Sequence, residues 1–144
     1  VPITGQTLAV LLVGALLGSR IGALSVATYL AQGVMGLPVF AGGIGGPAHL
    51  IGPTGGYLLG FVVAAYLVGL LSERGMTTRA STTMVSMLAG MAVIYAVGAT
   101  WLALFVGTDA AIAAGIVPFL VGDAAKISLA TMILPAAQNY ANRR

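Results

Sequence analysis

Cysteine is absent from the 144-residue chain, which excludes a disulfide framework and any thiolate metal site and leaves the redox compartment open. Charge is almost absent as well. Only 6% of residues are charged, against about 25% in an ordinary soluble domain. One histidine and three acidic residues cannot supply a metal cluster, a carboxylate pair or a Ser/His/Asp set, so no enzyme site is expected. Six cations give a net charge of +3 and a pI near 9.7, yet they are scattered among apolar runs. They form no basic stripe with interleaved aromatics, so no nucleic-acid partner is expected.

What remains is apolar. Hydrophobic residues make up 59% of the chain, and the mean hydropathy is +1.05. A charge at the bilayer centre costs about 2.5 to 3.5 kcal/mol or more, and this composition avoids that cost. The fold class is therefore an all-α, multi-spanning transmembrane helix bundle in a lipid bilayer. Helices are preferred over a barrel because the apolar runs are long and do not alternate, and backbone polar groups in lipid must be satisfied internally.

Five spans are expected: Leu8 to Gly18, which is short, Ile21 to Gly36, Tyr57 to Ser72, Ala80 to Val106, and Ala110 to about Ala137. Arg20, Glu73, Arg74, Arg79, Arg143 and Arg144 lie at the joints. Threading the spans alternately puts every arginine on one side, which the retention of positive loops assigns to the cytoplasm, with the C-terminus. Gly45 and Asp109 then face outward. Five spans with a cytoplasmic C-terminus leave Val1 outside, and nothing at the start has the basic n-region and cleavage site of a signal peptide. An upstream sixth helix would repair this topology. Residues 1–144 are read as one membrane domain, with no internal repeat or soluble linker. Small residues at four-residue spacing, Gly14-Gly18-Gly22 and Gly56-Gly60-Ala64, allow close helix packing in lipid.

The stretch from Ala41 to Gly60, AGGIGGPAHLIGPTGGYLLG, holds seven of the 21 glycines within the 15 residues from Gly42 to Gly56. Pro47 and Pro53 prevent one smooth helix through it. A backbone this rich in glycine can expose N–H groups to a ligand, and non-helical backbone at membrane depth is tolerated where it lines a cavity. An ordinary external loop is the alternative. Gly43 to Ala48 fits G-x-G-x-x-A, but no strand precedes it. Gly52 to Tyr57 lacks the Gly-Lys-Ser/Thr ending of a phosphate loop.

Asp123 and Lys126 place opposite charges inside the apolar run Ala110 to Ala137, well away from either end of that expected span. Their i, i+3 separation puts them on neighbouring parts of one helical face. Ionisable residues at this depth face a cavity or a partner. A structural ion pair would satisfy the same pattern. His49 in the glycine-rich joint needs no ligand role, and Trp101 and most tyrosines fit interfacial belts and packing. Tyr57 differs because it adjoins the glycine cluster. The hydroxyl run Thr77-Thr78-Arg79-Ala80-Ser81-Thr82-Thr83 suits the capping of the helix that follows.

Several strings together carry a family resemblance. They are Pro2-Ile3-Thr4-Gly5-Gln6-Thr7-Leu8, Gly36-Leu37-Pro38-Val39-Phe40, Gly52-Pro53-Thr54-Gly55-Gly56-Tyr57-Leu58, and Gly122-Asp123 with Lys126. Over most of its length the chain resembles the BioY family, the substrate-capturing S component of energy-coupling-factor biotin transporters. The resemblance implies a six-helix bundle, of which the five spans match helices two to six, with biotin held near the outer face beneath an external loop. It also implies a bacterial cytoplasmic-membrane location, a transmembrane coupling subunit and two cytoplasmic ATPase subunits as partners, and release inward as the S component tilts. Biotin would be the transported substrate, with no cofactor.

The candidate substrate-binding set is Gly43, Gly45, Thr54, Gly55, Gly56, Tyr57, Asp123 and Lys126. In this reading Asp123 accepts ureido N–H groups, while Lys126 balances that charge or meets the biotin carboxylate. Loop N–H groups hold the remaining anion, and Tyr57 with apolar residues packs on the ring. The two charged roles can be exchanged without contradiction. A membrane scaffold with a buried Asp–Lys brace is the alternative from another class.

The threading is testable. Cysteines introduced at Gly45 and Arg79 should be labelled from opposite faces of intact cells by an impermeant reagent, and labelling of both from outside would overturn it.

Overall fold

The structure is a computed structural model that describes residues 6–38, 45–52 and 55–142. Seven α-helices run in order among the described residues: α1 (Gln6–Leu17), α2 (Ser19–Val34), α3 (Pro47–Ile51), α4 (Gly55–Glu73), α5 (Ala80–Val106), α6 (Thr108–Gly115) and α7 (Leu120–Asn142). A short 3-10 turn, Val117–Phe119, precedes α7. Three stretches are long and apolar enough to cross a membrane: Gly55–Glu73, Ala80–Val106 and Leu120–Gln138. Spans one and two of the sequence reading appear as α1 and α2, of 12 and 16 residues.

The expected fifth span, Ala110 to Ala137, is corrected. It divides into α6, the 3-10 turn and α7. Pro118 lacks an N–H and cannot continue a helix begun before it, and Ile116 turns away from helical geometry at φ −126° and ψ −56°. The apolar character of Ala110 to Leu120 concealed this break. The hydroxyl-cap expectation is corrected too. Arg79 caps α5 without a side-chain bond, while Thr83 Oγ1 donates back to the Arg79 carbonyl at 2.6 Å. Thr77 is fully buried and pairs with Ser72 at 2.9 Å.

Helix α4 is the centre of the bundle, because small residues let its neighbours approach its backbone. A Cβ at Gly14 of α1 would overlap the Ala65 carbonyl, and one at Gly69 would overlap the backbone of Ser19. These pairs make α1 and α4 parallel. On another face, a Cβ at Gly60 would lie 3.2 Å from Ile94 Cα, and one at Gly90 would lie 2.7 Å from a Val68 methyl. These pairs make α5 antiparallel to α4. In lipid such close packing replaces the hydrophobic effect as the cause of association. Ala64, Ala65, Val68, Met87 and Ile94 are accordingly buried.

The chain turns sharply at Gly18, whose φ of 88° favours glycine. A continuous helix would bond the Ser19 N–H to the Ala15 carbonyl four residues back. The turn breaks that bond and leaves both groups half-buried, where an unmet polar group is costly. Other helices supply the partners. Glu73 Oε1 accepts from Ser19 N at 2.8 Å and from Ser19 Oγ at 2.9 Å. The Ala15 carbonyl accepts from Ser72 Oγ at 2.6 Å and from Gln138 Nε2 at 2.8 Å. Arg20, Arg74 and Arg79 therefore share one end of the bundle, while Asp109 follows the far end of α5. Arg143 and Arg144 lie outside the described residues.

Gly45 is a poor site for a label, since a Cβ there would overlap the Leu37 carbonyl. The exposed Asp109 carries the same threading test without that overlap.

The doubly met Ala15 carbonyl predicts non-additivity. Ser72→Ala or Gln138→Leu alone leaves one donor, whereas the pair of changes leaves the carbonyl unmet, at about 1 to 3 kcal/mol. Unfolding in detergent should show a double-variant loss larger than the sum of the single losses, and simple additivity would refute the shared acceptor.

Candidate functional site

Helix α1 is parallel to α4, and it is parallel to α7 as well, because Thr7 meets Lys126 at one end and Ala15 meets Gln138 at the other. The starts of α1, α4 and α7 consequently converge on one end of the bundle, opposite the Gly18 turn. Each start carries the partial positive charge of an aligned helix dipole. Among the described residues α4 and α7 come no closer than 8 Å Cα to Cα, and the Gln138 side chain reaches Ser72 at the turn end. Helices α1 and α5 each pack against both of them. The candidate residues on α4 and α7 thus lie on two helices whose backbones stand apart.

Asp123 lies in the first turn of α7, which corrects the expectation of a carboxylate far from any helix end. The dipole there favours its charge. Its side chain is nevertheless buried, at 8% exposure, and Lys126 Nζ stands 3.6 Å from Oδ1. The other oxygen, Oδ2, is buried and has no hydrogen-bond partner among the described residues. Lys126 also donates to Thr7 Oγ1 at 3.0 Å, so the ammonium joins the start of α7 to the start of α1.

Tyr57 is buried in the second residue pair of α4, with its ring over Gly98. A Cβ at Gly98 would fall within 2.6 Å of Tyr57 Cγ. Helix α3 follows Gly46, whose N–H donates to the Gly33 carbonyl at 2.6 Å. At three candidate glycines the missing side chain makes room for protein. A Cβ at Gly45 would overlap Leu37, one at Gly55 would overlap the Leu50 carbonyl, and one at Gly56 would overlap Trp101. Close backbone packing is therefore a sufficient reason for glycine at these positions. Gly43 and Thr54 lie outside the described residues, as does the side chain of His49.

Two residues escaped the sequence reading. Trp101 was assigned to belts and packing, yet its indole Nε1 donates to the Gly52 carbonyl at 2.8 Å. Thr7 was quoted only as part of a string, and its contact with Lys126 crosses 119 positions of sequence. Neither partner could be found by local spacing. No group of three potential metal ligands occurs among the described residues.

The chain is 41% identical over 138 residues to the probable biotin transporter BioY of Pyrococcus horikoshii, covering 96% of this chain and 81% of that protein. It is 43% identical over 134 residues to the biotin transporter BioY of Thermotoga maritima, covering 92% and 78%. A crystal structure of the S-component for biotin from an ECF-type ABC transporter superposes with a TM-score of 0.85 at 32% identity, covering 96% of this chain and 76% of that one. The family model for BioY matches residues 1–143, and the chain belongs to the BioY family.

Proposed function

We propose that this protein captures biotin and serves its uptake across the bacterial cytoplasmic membrane, as the S component of an energy-coupling-factor transporter. It is a transporter subunit and not an enzyme, and biotin is its substrate and not a cofactor. The observation that carries the site is Asp123 Oδ2, a buried acceptor without a partner among the described residues, at the end where three helix starts converge. A buried polar oxygen left unmet costs about 1 to 3 kcal/mol, and a ligand with N–H groups would recover that cost.

Biotin has the complementary chemistry: a ureido group with two N–H donors and a carbonyl, an apolar ring and chain, and a carboxylate. A small-molecule pocket needs few polar groups among many apolar ones. Asp123 accepts from the ureido N–H groups, and Lys126 neutralises that carboxylate or meets the carboxylate of biotin. Tyr57, seated on Gly98, supplies an apolar wall. The partial positive charges at the starts of α1, α4 and α7 favour the ligand's anion at the same end. Backbone N–H groups of the glycine joint, from Gly43 and Gly45 to Thr54, Gly55 and Gly56, complete the proposed set.

The arginine-bearing end is assigned to the cytoplasm, with the C-terminus, so that the converging end takes biotin from outside. The coupling subunit and two ATPase subunits are the proposed partners for inward release. Residues 1–144 constitute one membrane domain.

One observation favours a scaffold instead. Lys126 bridges Asp123 and Thr7, which would brace α7 against α1 without any ligand. Removing one charge of such a buried set strands the other, so a paired change separates the readings. Asp123→Asn with Lys126→Met should fold and yet lose biotin affinity by at least about 1.5 to 3 kcal/mol, the value of one charged hydrogen bond. Biotin titration of the double variant in detergent, beside the unmodified protein, measures this. Unchanged affinity in the folded double variant would leave the pair as a brace.

A further inference from the structure

Helix α3 packs on α2 and α4, and Gly52 is its C-cap. The Gly52 carbonyl accepts the Gly55 N–H at 3.1 Å and the Trp101 indole N–H at 2.8 Å. A carbonyl has two lone pairs, so this acceptor is filled. Trp101 also stands where a side chain of Gly56 would be, since a Cβ there would lie 2.7 Å from Trp101 Cγ and 2.9 Å from the Val97 carbonyl. One turn earlier on α5, Gly98 leaves the space that the Tyr57 ring occupies. A single turn of α5 therefore fixes three features of the joint: the Gly52 carbonyl, the Gly56 backbone and the Tyr57 ring. Helix α5 also packs on α7, which carries Asp123 and Lys126.

From this geometry we infer that Trp101 is a positioning residue for biotin, a role that rests on the biotin reading of the glycine joint. Its indole N–H ties the downstream end of the joint to α5, the helix that also packs against α7, and so sets the spacing between Tyr57 and Asp123. No other side chain combines a broad rigid ring with a lone donor and no competing acceptor. The ring fills the face of Gly56 while the N–H reaches the carbonyl beyond it. Phe105, with its ring centroid 6.3 Å away, flanks the indole on the same helix.

The test separates the N–H from the ring. Trp101→Phe keeps an aromatic ring beside Gly56 and removes the donor, whereas Trp101→His keeps a ring N–H. In the full-length protein in detergent, Trp101→Phe should weaken biotin binding about 3- to 10-fold, the range expected for one net hydrogen bond. Trp101→His should lose less. Hydrogen exchange should quicken at the amides of Gly52, Gly55 and Gly56 in Trp101→Phe and stay unchanged in α1 and α7. Wild-type affinity in Trp101→Phe, or equal losses in both variants, would overturn the role of the N–H. Unmodified protein that takes up no biotin, beside faster joint exchange in Trp101→Phe, would overturn the biotin reading while the tie itself stands. Trp101 is the sole tryptophan of the chain, so the unmodified protein gives a measurement independent of variant folding. Its emission should change saturably with biotin at the midpoint of binding, and unchanged emission at saturating biotin would refute the proposal.

Discussion

The bundle depends on one hydrogen bond that is not made. At Gly18 the chain abandons the helical bond from Ser19 to Ala15, and the two released groups are satisfied by side chains from α4 and α7. Ser19 and Ala15 are buried, where released backbone groups need protein partners, so the turn exists only together with those side chains. Glu73, Ser72 and Gln138 come from distant parts of the sequence. The sharp turn thus fixes where α4 ends and where the last turns of α7 must lie. It does so with polar groups placed at one end, leaving the middle of the bundle to small and apolar residues.

The same constraint orders the opposite end. Once α4 and α7 are aligned with α1 at the turn, their starts must emerge together, and Tyr57, Thr7, Asp123 and Lys126 follow. The backbones of α4 and α7 stay apart, and Gln138 meets Ser72 directly at the turn end. Two helices with that spacing, one with an apolar ring and one with an unmet carboxylate oxygen, match a ligand with an apolar ring and N–H donors. The juxtaposition of these side chains is thereby a product of packing at the far end of the molecule.

Much of this was legible in the sequence, for physical reasons that differ from residue to residue. The helical class follows from hydropathy and from the scarcity of charge, which lipid imposes on every residue alike. The boundaries of α5 were read directly, because Arg79 and Gly107 bracket an unbroken apolar run. Asp123 and Lys126 stood out because charge is expensive there, and the structure does bring them together. The break at Pro118 was missed because hydropathy runs through it unaltered, which put Asp123 too deep in its helix. The contacts of Trp101 with Gly52 and of Lys126 with Thr7 were out of reach. They join elements far apart in sequence, and neither tryptophan nor threonine signals which carbonyl or ammonium it will meet. The glycine cluster was legible as unusual backbone, but its density has a packing cause at Gly45, Gly55 and Gly56 that spacing does not reveal.

The lengths of the helices carry a mechanical consequence. Helix α2 has 16 residues and α5 has 27, which at 1.5 Å per residue are about 24 Å and about 40 Å, against a hydrocarbon layer of about 30 Å. No single bilayer thickness matches both. Lipid beside the short helix is drawn thinner and lipid beside the long one is drawn thicker, each at a fraction of a kcal/mol per ångström of mismatch. A long helix also tilts to shorten its span, so the mismatch is shared between the lipid and the set of the bundle in it. Its gradient across the molecule acts as a torque on the whole bundle, and the thickness of the host membrane sets how strongly it pulls.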